Sequence, residues 1–85
     1  MMRISVISPE QVRYDGDATS VVAPAYDGEL GILAGHAPLM TLLGHGTLRV
    51  TRGAEERRFT VDGGFLQVVD DVIRVVTEKA QNAAP

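Results

Sequence analysis

The chain has no cysteine and no tryptophan, and its 85 residues include only two histidines, two tyrosines and two phenylalanines. Without cysteine there is no disulfide, no thiolate nucleophile and no cysteine-based metal site. That usage fits a reducing compartment. Lys79 is the sole lysine and lies near the C-terminal end, so the exposed hairpin lysine by which small β-sandwich carriers hold biotin or lipoate is missing. So few aromatic rings leave few platforms for stacking single-stranded bases. Eleven acids against eight bases give a net charge of −3. The one pair of adjacent bases, Arg57 and Arg58, directly follows Glu55 and Glu56. A nucleic-acid binder shows a basic face, so no nucleic-acid partner is expected. No stretch approaches the ~20 apolar residues of a membrane span. The N-terminal segment Met1–Val6 alternates like a strand and lacks the apolar run of a signal peptide. A cytoplasmic protein is expected, without direct membrane insertion, any membrane association coming through a partner.

What remains is ordinary globular material, 45% hydrophobic and 22% charged. A chain of this length is one domain, burying roughly 60–65% of its unfolded surface. Period two dominates it. Ile4, Val6 and Ser8 alternate with Arg3, Ser5 and Ile7. Leu48 and Val50 alternate with Thr47, Arg49 and Thr51, and Phe59 and Val61 with Arg58 and Thr60. Such alternation places one face on a core and the other in water. Phe65–Val69 and Val72–Val76 are more continuously apolar. They predict strands buried on both sides, or strands whose outer face meets another protein. Gly and Asp turn signals recur at short intervals, among them Asp15-Gly16-Asp17, Asp27-Gly28, Gly35 to Pro38, Gly44-His45-Gly46, Asp62-Gly63-Gly64 and Asp70-Asp71. The pattern predicts an all-β fold, a small antiparallel β-sandwich or flattened barrel of about 8–10 short strands in two sheets. Strands are expected near 3–8, 12–14, 18–23, 29–33, 39–43, 46–51, 55–61, 64–69 and 72–77. The domain is placed at residues 1–78, and 79–85 as a short flexible tail that frays as one helical turn or stays disordered.

Catalytic chemistry finds little support. His36, His45, Asp27 and Glu29 are near one another in sequence, but zinc needs three or four convergent ligands, and turn carboxylates beside two isolated histidines do not supply that pattern. No metal and no cofactor are expected. Ser5, Ser8 and Ser20 sit in no nucleophile-elbow context. Gly28-x-x-Gly31 and Gly63-Gly64 are followed by no Lys-Ser or Lys-Thr and lead into no helix, as a phosphate cradle requires. The segment from Glu29 to Leu43 is unusually apolar for a loop-rich stretch. Either its Leu, Ile and Met side chains all point inward, or some remain outside as a patch for a protein partner.

Two blocks carry a family likeness. Gly28-Glu29-Leu30-Gly31-Ile32-Leu33-Ala34-Gly35-His36-Ala37-Pro38-Leu39 resembles the signature of the ε subunit of F-type ATP synthases, and Asp62-Gly63-Gly64-Phe65-Leu66-Gln67-Val68 resembles its Gly-Gly-Phe hairpin. The opening Val6-Ile7-Ser8-Pro9-Glu10 and the strand Gly46–Val50 follow the same family in order and spacing. The likeness extends over nearly the whole chain. Gln67 stands where the family commonly has Glu, and Ala34 where Pro is frequent. Typical members continue into a C-terminal helical hairpin, whereas this sequence stops at Pro85, as a naturally short form or an excised domain.

The resemblance implies a two-sheet sandwich and a non-catalytic rotor role. In that role the sandwich clamps the foot of the γ subunit to the ring of c subunits, so that ion flow turns γ. It implies that Glu29 lies in the turn meeting the polar loops of the c-ring and that His36 faces γ, with Glu29, Leu30, His36, Ala37, Pro38 and Leu39 as contact residues. Braking of hydrolysis and ATP binding belong to the helical hairpin in this family, so the chain is expected to do neither. The expected setting is a monomer within a hetero-oligomer, peripheral on the cytoplasmic face of the bacterial inner membrane. The alternative is an unrelated small β-sandwich binding or adaptor module, such as a sugar binder, for which Tyr14, Tyr26, Phe59 and Phe65 are the whole supply of aromatic platforms.

Overall fold

The computed structural model describes residues 1–82, and contains no helix among them. Ten strands follow one another: β1 (Met2–Ile7), β2 (Val12–Ala18), β3 (Ser20–Ala25), β4 (Gly28–Leu33), β5 (Leu39–Leu42), β6 (His45–Arg52), β7 (Glu55–Asp62), β8 (Phe65–Val69), β9 (Val72–Val76) and β10 (Lys79–Asn82). They form two five-stranded sheets, one in the order β2-β1-β9-β8-β5 and the other β10-β7-β6-β3-β4. The expected sandwich is therefore present. Pairings are antiparallel with one exception: β1 lies parallel to β9, Ile4 opposite Ile73 and Val6 opposite Val75. Sequence alternation cannot distinguish the two directions, because both place every second side chain on the same face.

The period-two residues meet between the sheets. Met2, Ile4, Val6, Leu66, Val68, Ile73 and Val75 come from the first sheet, and Val21, Ile32, Leu48, Val50, Phe59 and Val61 from the second; all are buried. One side of this core is closed by Tyr14, whose ring meets Phe59 edge-on at 6.1 Å between centroids. The Arg57 guanidinium lies 5.5 Å from the Tyr14 centroid, covering the rings with a cation rather than leaving them to water.

Three local expectations change. Asp15-Gly16-Asp17 is not a turn but the middle of β2, paired with Ser5, Ile4 and Arg3. This strand is a sheet edge, where acids that point to solvent both tolerate and protect the free side, and Asp15 accepts an ion pair from Arg3 at 3.0 Å. Likewise His45 and Gly46 belong to β6, leaving Leu43 and Gly44 as the link from β5. Finally, residues 79–82 are neither a helical turn nor a free tail. They add β10 to the edge of β7, with Ala80 opposite Val61 and buried. The anchor is Thr77, itself buried. Its hydroxyl lies 2.9 Å from the Lys79 carbonyl and 3.3 Å from that of Asp62, and it accepts the Asp62 N–H at 3.4 Å. The remainder of the expected tail, 83–85, lies outside the described residues.

Candidate functional site

The two outer faces of the sandwich differ in chemistry. Across β6 and β7 the outward residues are polar, Thr47, Arg49 and Thr51 standing beside Thr60, Arg58 and Glu56, while Leu33 at the end of β4 is 65% exposed. On the other sheet the registers align apolar side chains across all five strands. Leu42 faces Phe65, Phe65 faces Val76, Val76 faces Ile7 and Ile7 faces Val12. Leu42 and Val12 at the two ends are 63% and 59% exposed, while Phe65, Val76 and Ile7 are half-buried between them. Met40, 65% exposed, lies two residues from Leu42 on the same face. The continuously apolar strands are therefore not buried on both sides. Their inner residues fill the core; of their outer ones Phe65 and Val76 lie in this row, while Gln67 pairs with Arg74 in the next. Beside the apolar row a groove of about 520 Å³ runs between Ser8–Pro9 and Val76–Glu78, with Ile7 and Phe65 in its wall.

The Gly28–Leu39 block folds as a hairpin arm, β4, followed by a turn into β5. The β3–β4 hairpin closes with Ala25 opposite Gly28, so Tyr26 and Asp27 form its tip. Glu29 follows on the exposed edge of its sheet, with Oε2 3.9 Å from an Arg49 guanidinium nitrogen. Arg49 is half-buried and Glu29 exposed, and at 3.9 Å in contact with solvent this pair contributes little to stability. At the far end of β4 the chain turns. The His36 N–H donates to the Leu33 carbonyl at 3.2 Å. His36 Nδ1 lies 2.8 Å from the Ala37 carbonyl. A carbonyl only accepts, so Nδ1 carries the proton and Nε2 is left for another partner. Ala37 and Pro38 are exposed, whereas Leu30 and Leu39 are half-buried and pack against the core.

Glu29 and His36, expected to face different partners, stand apart. Glu29 and Leu33 are four positions apart along a strand, about 13 Å, and His36 lies beyond Leu33. Glu29 stands at one end of the sandwich and the His36 turn at the other. Nor do the histidines converge: His45 Nδ1 is 3.6 Å from Asp62 across β6 and β7. No group of three His, Cys, Asp or Glu side chains able to hold a metal occurs among the described residues. Of the aromatics, only Tyr26 is strongly exposed, at 68%. Sequence spacing does not join Leu42, Phe65, Val76, Ile7 and Val12 into one row. Its signal was there in Phe65–Val69 and Val72–Val76, whose apolar residues occupy both alternating sets.

Comparison with known proteins agrees with this architecture. The family model described as the ATP synthase delta/epsilon chain β-sandwich domain matches residues 1–83. The chain belongs to this family. Named relatives include the ATP synthase epsilon chain of Frankia casuarinae, 44% identical, with the match covering 94% of this chain and 95% of that one. The epsilon chain of Rhodopirellula baltica is also 44% identical, over 93% of this chain and 62% of its own length. That of Leptospira borgpetersenii is 40% identical, over 91% and 61%. The chain thus spans about three fifths of the latter two relatives and nearly all of the first. Among solved structures, a chain of the Euglena gracilis mitochondrial ATP synthase superposes with a TM-score of 0.88 at 24% identity, over 95% of this chain and 52% of that chain. One from the central stalk and c-ring of the Tetrahymena thermophila enzyme gives 0.80 at 16%, over 94% and 65%. At these identities the structures speak for the fold alone. The epsilon chain is a non-catalytic subunit, the catalytic sites of the synthase lying on other subunits.

Proposed function

We propose that this chain is the sandwich of a central-stalk subunit of an F-type ATP synthase, coupling ion-driven rotation of the c-ring to the γ subunit. The observation that carries the reading is the apolar row across the outer face of the β5–β8–β9–β1–β2 sheet, from Leu42 to Val12. A row of apolar side chains running across one outer face suits a protein contact better than a solvated surface, and we assign this row to γ. The His36–Pro38 turn, which enters β5 through Leu39 at the opposite end of that strand from Leu42, is assigned to γ as a second point of contact. Glu29 and the Tyr26–Asp27 tip, supported by Leu30, are assigned to the polar loops of the c-ring; this tip lies beside the row, the Tyr26 N–H donating to the Leu42 carbonyl at 3.0 Å. The complex would hold the protein peripherally on the cytoplasmic face of the bacterial inner membrane, as a monomer within a hetero-oligomer. Braking of hydrolysis and ATP binding are not assigned to this sandwich.

The test is a salt-graded pull-down of the tagged chain against purified γ and purified c-ring, with the L42D and E29K variants in parallel. Stoichiometric capture of γ, lost with L42D and kept with E29K, supports the assignment, as does weaker and more salt-sensitive c-ring capture with E29K. A folded wild-type chain that captures neither component overturns it.

A further inference from the structure

We propose that Asp71 is the positioning residue that sets the Gly35–Pro38 turn in its partner-facing conformation, a role that rests on reading that turn as a contact surface. Asp70 and Asp71 are the two central residues of the β8–β9 hairpin, between Val69 and Val72, which face each other. Their φ angles are +50° and +62°. A two-residue hairpin with both centres at positive φ is ordinarily served by Asn-Gly or Asp-Gly, since glycine meets no steric penalty there. This chain places an aspartate in the second position instead.

The side chain shows what the aspartate does. Asp71 Oδ1 accepts the N–H of Gly35 at 2.7 Å, across a separation of 36 residues. A carboxylate acceptor at this distance makes a charge-assisted bond, stronger than its neutral counterpart. The backbone carbonyl of the same residue accepts the Arg3 N–H at 2.9 Å. Asp71 therefore fastens three segments at one end of the sandwich: the start of β1, its own hairpin, and the connection that leaves one sheet at Leu33 and enters the other at Leu39. Gly35 sits in that connection at φ +83°, a conformation with few competing contacts to hold it. With its N–H fixed, the next N–H reaches the Leu33 carbonyl and the His36 ring settles on the Ala37 carbonyl. The direction in which His36 Nε2 points is thus set by a residue in a distant hairpin. Glycine at position 71 would serve its own turn better and the remote turn worse.

The experiment compares wild type, D71G and D71N as 15N-labelled full chains, by amide hydrogen exchange and by binding to purified γ. Expected for D71G is an unchanged or raised Tm together with exchange at Gly35 faster by about tenfold or more. Its dissociation from γ is expected to speed up by about fivefold. D71N keeps an oxygen acceptor and should restore Gly35 protection and γ binding most of the way. Unchanged Gly35 exchange in D71G overturns the positioning role. Faster exchange with unaltered γ binding overturns the partner-facing role of the turn and leaves the apolar row standing as the docking surface. Failure of wild type to bind γ overturns the functional reading, while the exchange measurement still decides whether Asp71 orders the turn.

Discussion

Replacing Gly64 by alanine probes the place where the outer row and the core are tied together. Gly64 precedes β8 at φ +99°, and a β-carbon built on it would lie 1.9 Å from the Val76 carbonyl oxygen, 2.7 Å from Thr77 Cα and 2.9 Å from the Val76 carbonyl carbon. All three atoms are backbone, so no side chain can rotate away. Relief requires β8 and the end of β9 to separate by more than an ångström, at the point where Phe65 faces Val76. The unfavourable φ alone costs about 1–3 kcal/mol, and forced backbone displacement adds about 1–3 kcal/mol. A domain of this size has a total stability of about 4–13 kcal/mol, at about 0.05–0.15 kcal/mol per residue. Gly64→Ala should therefore remove about half of it and lower Tm by at least about 10 °C. Urea unfolding followed by far-UV circular dichroism measures this, since the chain has no tryptophan to report. Gly31→Ala is the control. A β-carbon there meets nothing within 4 Å, and stability should stay the same or rise by up to about 1 kcal/mol. A loss below about 1 kcal/mol at Gly64, with the Gly31 control behaving as stated, would refute the close-approach argument.

Other perturbations separate core from surface. Leu42→Asp should leave stability within about 0.5 kcal/mol, because Leu42 is 63% exposed, yet weaken γ binding by about tenfold or more; calorimetry and the pull-down check the two halves. Phe59→Ala removes a fully buried ring and should cost about 3–5 kcal/mol, read as a large fall in the urea midpoint. Thr77→Val keeps the shape but strips the hydroxyl from the Asp62 N–H and from the Asp62 and Lys79 carbonyls. A loss of about 1–3 kcal/mol is expected, with amide exchange at Ala80 and Gln81 accelerated before that of the central strands. Arg49→Ala should shift stability by less than about 1 kcal/mol, since its partner Glu29 is on an exposed edge; a larger fall in thermal melting would show that the pair is structural.

Alternation alone identified the inner faces. The spacing of Ile4, Val6, Leu48, Val50, Phe59 and Val61 places them on the core side, and every one is buried, because a strand with one wet face has little freedom to place its apolar set elsewhere. The turn residues likewise placed most strand boundaries, and the Gly28–Leu39 and Gly63–Phe65 blocks carried the family. Other features were decided in three dimensions. The local signal of Asp15-Gly16-Asp17 suggested a turn, and pairing with β1 overrode it. Lys79–Asn82 has no strong pattern of its own, and became a strand because β7 offered a free edge and Thr77 a clip. The parallel β1–β9 pairing joins residues some seventy positions apart, which no local propensity records. That pairing, with the registers of β5 against β8 and β8 against β9, lines up Leu42, Phe65, Val76 and Ile7 into one surface. The sequence determined which side chains are apolar and which alternate; only tertiary pairing determined which of them share a row, because a neighbour across a sheet is set by register and not by distance along the chain.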